Sequence, residues 1–133
     1  SPTKFVETFY QNYATPFAAM DVDAPEQAKR LREKYLTKSL QKVFDSAAEA
    51  GEEPVLTHYD LILHGYDFDR SALKSISVKL WDDQEVCVRF VKMGDIETVY
   101  IIKVEKTPEG YRIADINELS DDGVPAVDDE PTI

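Results

Sequence analysis

Ser75-Ile76-Ser77-Val78-Lys79-Leu80-Trp81-Asp82-Asp83-Gln84-Glu85-Val86-Cys87-Val88-Arg89-Phe90 is the stretch that decides the fold. Ile76, Val78 and Leu80 alternate with Ser75, Ser77 and Lys79, the period of two expected of a strand with one face on a core. Trp81 to Gln84 supply a turn, and Val86, Val88 and Phe90 carry the alternation into a second strand. Met93-Gly94-Asp95 marks the next hairpin. The strand after it, Ile96 to Glu105, sets Val99 and Ile101 against Tyr100, Ile102 and Val104, so it is expected to be central and covered on both faces for part of its length. Thr107-Pro108-Glu109-Gly110 is a strong turn signal, followed by Tyr111, Ile113 and Ile116 on a last strand. A meander of three or four antiparallel strands follows from this spacing.

Upstream the period is helical. Ser1 can cap a helix that begins at Pro2, along which Phe5, Val6, Phe9, Tyr10, Tyr13 and Phe17 recur as one aromatic stripe. Pro16 is expected to end or bend this helix. Asp23-Ala24-Pro25-Glu26 has the form of a capping box for a second helix, with Ala28, Leu31 and Tyr35 on its apolar side. Thr37 can cap a third, in which Leu40, Val43, Phe44 and Ala47 share a face before Gly51 stops it. Glu52 to Asp69 follows no clear period. Helices first and strands second predict an α+β fold, with the N-terminal helices packed on one face of a curved antiparallel β-meander.

The 133 residues and 43% apolar content suit one domain, expected over residues 1–119. Ser120 to Ile133 is acidic, contains Pro and Gly, lacks periodicity and reads as a disordered tail. No apolar run approaches the roughly 20 residues of a membrane-spanning helix. Ser1-Pro2-Thr3 carries neither Met nor a signal sequence and reads as the start of a mature or trimmed chain. Cys87 is the lone cysteine, so no intrachain disulfide can form, and its Val-Cys-Val setting predicts a buried, inert thiol.

A net charge of −11, with 15 Lys and Arg scattered along the chain, argues against nucleic acid and anionic membranes. It leaves open an acidic surface that steers a basic protein partner.

Three short motifs carry a resemblance: the helix opening Phe5-Val6-x-x-Phe9-Tyr10-x-x-Tyr13, the step Tyr35-Leu36-Thr37, and the closing strand Gly110-Tyr111-Arg112-Ile113-Ala114-Asp115-Ile116. Over roughly residues 3–118 the chain resembles the bacterial domain of unknown function 3828, whose members look like the nuclear transport factor 2-like and cystatin-like cone folds. Tyr111 stands where a Trp is common in that family. Asp60 and Asp67 match the Asp residues its members tend to carry on entering the sheet, while His64-Gly65-Tyr66 departs from the family pattern. The resemblance implies export to a Gram-negative periplasm or cell surface, leaves room for a lipid anchor if a lipoprotein signal was removed, and implies no established activity.

His58, Asp60, His64, Asp67 and Asp69 form the one cluster suited to metal binding or proton transfer. On an extended segment His58, Asp60 and His64 share a face, but the outer two lie about 20 Å apart, so only a bend could make a zinc site of them. A loop of capping carboxylates and solvated imidazoles explains them better, and no metal or cofactor is expected. A cone-fold enzyme of the dehydratase or isomerase kind would use Asp60 with His58 or His64 as its acid–base pair. Against that reading, the inward positions Val86, Val88, Phe90, Ile102 and Ile113 are apolar and orient no substrate.

The sequence therefore favours a non-enzymatic, exported binding domain, one form of which is an inhibitor or immunity protein for a basic protein partner. Its expected binding residues are Asp60, His64, Tyr66, Asp67 and Trp81. A small cone-fold enzyme and an accessory domain of the cell envelope are the alternatives.

Overall fold

The computed structural model describes residues 1–47, 62–63, 68–92 and 96–119. Within them lie helices α1 (Pro2–Ala18), α2 (Ala24–Tyr35), α3 (Lys38–Ala47) and α4 (Arg70–Ser75), then strands β1 (Ser77–Leu80), β2 (Glu85–Lys92), β3 (Ile96–Thr107) and β4 (Gly110–Leu119). The strands form one antiparallel sheet in the order β1-β2-β3-β4. Helices packed on one face of this meander make the fold α+β.

The aromatic stripe of α1 is the centre of the core. Val6, Phe9, Tyr10 and Tyr13 have no exposed surface, and they cluster with Val86, Val88, Phe90, Ile102 and Ile113 from the inner face of the sheet. Each fully buried side chain of this size contributes about 1.5–3 kcal/mol, so α1 supplies much of the driving force for closing the helical layer onto the sheet. Arg32 braces the helices to one another, its Nη1 donating to the Tyr13 hydroxyl at 2.8 Å while its guanidinium lies 5.1 Å from the Phe44 ring centroid.

Several helix ends form as their residues dictate. The Ser1 side chain accepts from the Lys4 amide, and Thr37 accepts from the Leu40 amide. Two differ. The expected capping box at Asp23 is absent, because the Asp23 carboxylate accepts instead from the Gln27 side chain at 2.9 Å, one turn along the same face. Pro16 lies inside α1, which runs on to Ala18: so near a C-terminus a proline removes only one hydrogen bond of the last turn.

The short α4 has no counterpart among the expected elements. Asp69 caps it by accepting from the Ala72 amide at 2.9 Å, and the Ser75 hydroxyl at its end accepts from the Val91 amide at 2.8 Å, tying the helix to β2. β1 accordingly starts at Ser77, after the helix.

β3 is an interior strand, with Tyr100, Ile102 and Val104 buried on the helical side and Ile101 at 7% exposure on the other. Its pairing with β4 shifts between Lys103 and Val104, which leaves Ala114 as an extra residue in β4, a β-bulge that bends the strand. Beyond the last β2 pair, Glu85 with Lys103, the β3–β4 hairpin continues alone through Val104–Ile113 to Thr107–Gly110. Leu36 makes a parallel bridge to Ile113 on this overhang, and the Thr37 amide donates to the Ile113 carbonyl at 2.9 Å. No helix among the described residues is long and apolar enough to cross a membrane.

Candidate functional site

Of the residues singled out by sequence, His58, Asp60, His64, Tyr66 and Asp67 lie outside the described residues, as do Gly51, the Met93–Asp95 turn and the 120–133 tail. Ile62 and Leu63, which stand among the candidates, are fully buried, and the Ile62 carbonyl accepts from the buried Tyr10 hydroxyl at 3.2 Å. Asp69 is a helix cap. The inner face of the sheet is also more polar than its apolar positions suggested: Thr98 pairs with Phe90 and Glu118 with Tyr100, so both share that face with Lys92, and Lys92 and Thr98 are buried.

Trp81 is the one expected binding residue that the described structure places, at the tip of the β1–β2 hairpin. It is 56% exposed, and Leu80 before it is 61% exposed, although Leu80 pairs with the buried Val86. This tip is firmly held. The Asp82 carboxylate accepts from the Gln84 and Glu85 amides at 3.0 and 2.9 Å, the Trp81 amide donates to the Glu85 carbonyl at 2.8 Å, and the Val104 amide donates to the Gln84 carbonyl at 2.8 Å. Asp82, Asp83, Gln84, Glu85 and Lys103 line an open hollow of about 560 Å³ beside it.

The electrostatics of the tip follow from these bonds. The Gln84 amide, with help from the Glu85 side chain, holds the Asp82 carboxyl below its ordinary range. Glu85 is pushed the other way, chiefly by its hydrogen bond to the Asp82 side chain, then by burial and the like charge of Asp82, with Lys103 opposing. An exposed indole and an exposed leucine thus stand on a rigid turn among three carboxylates, an arrangement that can anchor a basic protein surface.

A second feature forms where the β3–β4 overhang meets the helices. Phe5 in the first turns of α1, Tyr35 at the end of α2 and Tyr111 at the start of β4 make an aromatic cluster, with ring centroids 5.1 Å apart for Phe5–Tyr35 and 5.8 Å for Phe5–Tyr111. All three are half-buried, and they floor an open cleft of about 460 Å³. Lys4, Lys34 and Arg112 stand around it with a single carboxylate, Glu109. Sequence reading placed these rings in three separate motifs and gave no sign that they meet.

Chemistry elsewhere is sparse. Among the described residues no group of three or more His, Cys, Asp or Glu could hold a metal. Cys87 is buried on the sheet face opposite the helices, and burial pushes its thiol up, away from the reactive thiolate.

No known family's sequence profile matches the chain, and no curated protein matches it. Among solved structures the chain is similar to a protein of unknown function from Bacteroides thetaiotaomicron VPI-5482, with a TM-score of 0.72 over 87% of this chain and 88% of that one. At 24% identity this likeness shows a shared fold alone.

Proposed function

We propose that this chain is a non-catalytic binding domain that recognises a basic protein partner through the β1–β2 hairpin tip. The observation that carries the reading is the exposed Leu80–Trp81 pair on a hydrogen-bonded turn flanked by Asp82, Asp83 and Glu85. An aromatic anchor at the middle of a patch supplies affinity, and the surrounding carboxylates, with a chain charge of −11, supply steering and selectivity. An inhibitor or immunity protein is one form of this function.

Membership of the domain of unknown function 3828 family, with export to a Gram-negative periplasm or surface, is part of the same proposal. Its support is spatial: the three motifs of the resemblance converge, with Phe5 against Tyr35 and Tyr111 and Thr37 bonded to Ile113.

The test is capture of a partner from the source organism by the intact protein, repeated with Trp81→Ala and with Asp83→Lys. Loss of a central aromatic anchor costs about 2 kcal/mol or more, roughly a thirtyfold weaker dissociation constant, and rising salt should weaken binding further. A partner retained equally by Trp81→Ala, or held without loss at high salt, refutes the proposal.

A cone-fold enzyme is the second reading, favoured by one observation, the polar Lys92, Thr98 and Glu118 on an otherwise apolar inner face. In that reading Asp60→Asn abolishes turnover while leaving the thermal midpoint within about 2 °C, whereas a variant with unchanged turnover excludes Asp60 as the acid–base group.

A further inference from the structure

The Phe5–Tyr35–Tyr111 cleft stands out against the charge of the molecule. Acidic residues outnumber basic ones 26 to 15 in the chain, yet three cations and one carboxylate line this cleft. The cations are not equivalent. Lys4 shares its charge with Glu7 at 3.6 Å. Lys34 extends over the Tyr35 ring, with Nζ 5.7 Å from its centroid. Arg112 is half-buried, and its Nη1 donates to the Tyr111 carbonyl at 2.7 Å. That bond orients the guanidinium and uses one of its five donors, and among the described residues no carboxylate forms a salt bridge with it, Glu105 being only its cross-strand neighbour.

The rings are also unlike the rest of the aromatic stripe. Phe9, Tyr10 and Tyr13 are sealed in the core, whereas Phe5, Tyr35 and Tyr111 keep partial exposure around a cavity within the roughly 300–1,000 Å³ of small-ligand sites. Faces of half-buried rings stack on a flat apolar body, and an oriented guanidinium with a neighbouring ammonium takes a planar carboxylate. A chain of this negative charge favours a monoanion over a polyphosphate, since each further negative charge on a ligand adds to the repulsion.

We propose that this cleft binds a small aromatic carboxylate, with its ring on Phe5, Tyr35 and Tyr111 and its carboxylate toward Arg112 and Lys34. The site uses other elements than the Trp81 tip, so either can fail without the other.

Titration of the isotope-labelled protein with benzoate, followed by amide NMR, tests it. Saturable shifts are expected at Lys4–Thr8, Tyr35 and Gly110–Arg112, with a dissociation constant of about 1 mM or below, and with binding about tenfold weaker for benzamide, which keeps the ring and loses the charge. Arg112→Gln should weaken benzoate about tenfold, and Tyr111→Phe should keep the affinity within about twofold. Lys34→Gln, at an exposed helix end, serves if Arg112→Gln does not fold. Equal binding of benzamide, shifts confined to other residues, tighter binding of phenyl phosphate, or full benzoate affinity in both cation variants would overturn the proposal.

Discussion

Replacing Phe9 and Phe5 by alanine, one at a time, separates the part of the α1 stripe that makes the core from the part that makes the cleft. Phe9 has no exposed surface and touches the rings of Tyr10, Tyr13 and Tyr35 at centroid distances of 5.6, 5.2 and 5.3 Å. Removing it takes away a full transfer term and leaves a sealed void, so Phe9→Ala should cost about 3–5 kcal/mol. Phe5 is half-buried over an open cleft, and water or neighbouring side chains can enter the space it vacates. Only about half of the 1.5–3 kcal/mol transfer term is then lost, roughly 0.8–1.5 kcal/mol, with no cavity term. For a folded unit of this size the midpoints should fall by about 10–20 °C for Phe9→Ala and about 3–6 °C for Phe5→Ala. Urea unfolding followed by far-ultraviolet circular dichroism gives the free energies, and coincidence with the fluorescence of Trp81, the single tryptophan, checks that unfolding is two-state. If Phe5→Ala costs as much as Phe9→Ala, the Phe5 site is core and the cleft argument collapses.

Gly110 has φ +113°, a conformation that strains any residue with a Cβ, so Gly110→Ala should cost about 1–3 kcal/mol and lower the thermal midpoint accordingly; an unchanged midpoint would show that the turn relaxes freely. At the hairpin tip, carboxyl NMR titration should place Asp82 below its ordinary 3.8 and Glu85 above its ordinary 4.5, with Glu85 returning toward that value in Asp82→Asn; the reverse order would refute the hydrogen-bond scheme. The signs oppose: the lowered Asp82 value favours the fold above the ordinary 3.8, an effect lost as pH falls through the lowered value, whereas the raised Glu85 value favours the fold below the ordinary 4.5, an effect lost as pH rises through the raised value, so the tip's contribution is greatest between 3.8 and 4.5 and declines on either side. Cys87 should alkylate at least about tenfold more slowly in the native than in the urea-unfolded protein at pH 8, and equal rates would show an open thiol.

Period carried most of what sequence could show. The α1 stripe and the alternations of β1 and β2 repeat often enough to set element type and inward face together, and the turn at Thr107–Gly110 is fixed by a proline and a glycine that must take a positive φ. Short or competitive features were hidden. The six residues of α4 span too few turns to show a period, and their one signal, Asp69 as a cap, reads equally as a loop carboxylate. At Asp23 the capping-box pattern was present, but Gln27 competed for the same carboxylate, a contest decided by rotamers and not by residue type. Trp81 was legible as a turn residue, while its 56% exposure was not, because a turn tryptophan can equally fold back onto the sheet.

The cleft was illegible for a deeper reason, which is also the best argument for its importance. Phe5, Tyr35 and Tyr111 are brought together because the β3–β4 hairpin runs four pairs past the end of β2, to the start of α1 and the end of α2. The bulge at Ala114 lies at the root of this overhang, and the Leu36–Ile113 bridge and Thr37–Ile113 hydrogen bond fasten it to the chain leaving α2. In a meander the β1–β2 and β3–β4 turns fall at the same end of the sheet. That end therefore carries two faces of opposite charge: the acidic Trp81 tip on β1–β2, and the cationic aromatic cleft on β4 and the helices. Deleting Ala114 would make Lys103–Asp115 and Val104–Ile113 consecutive pairs, so Tyr111 and Arg112 would keep their faces while β4 would lose the bend that sets the direction of the overhang. Benzoate binding should then weaken about tenfold or more while the Trp81 hairpin, which pairs with β3 before the bulge, keeps its amide resonances; unchanged benzoate affinity would show that the bend does not position the site.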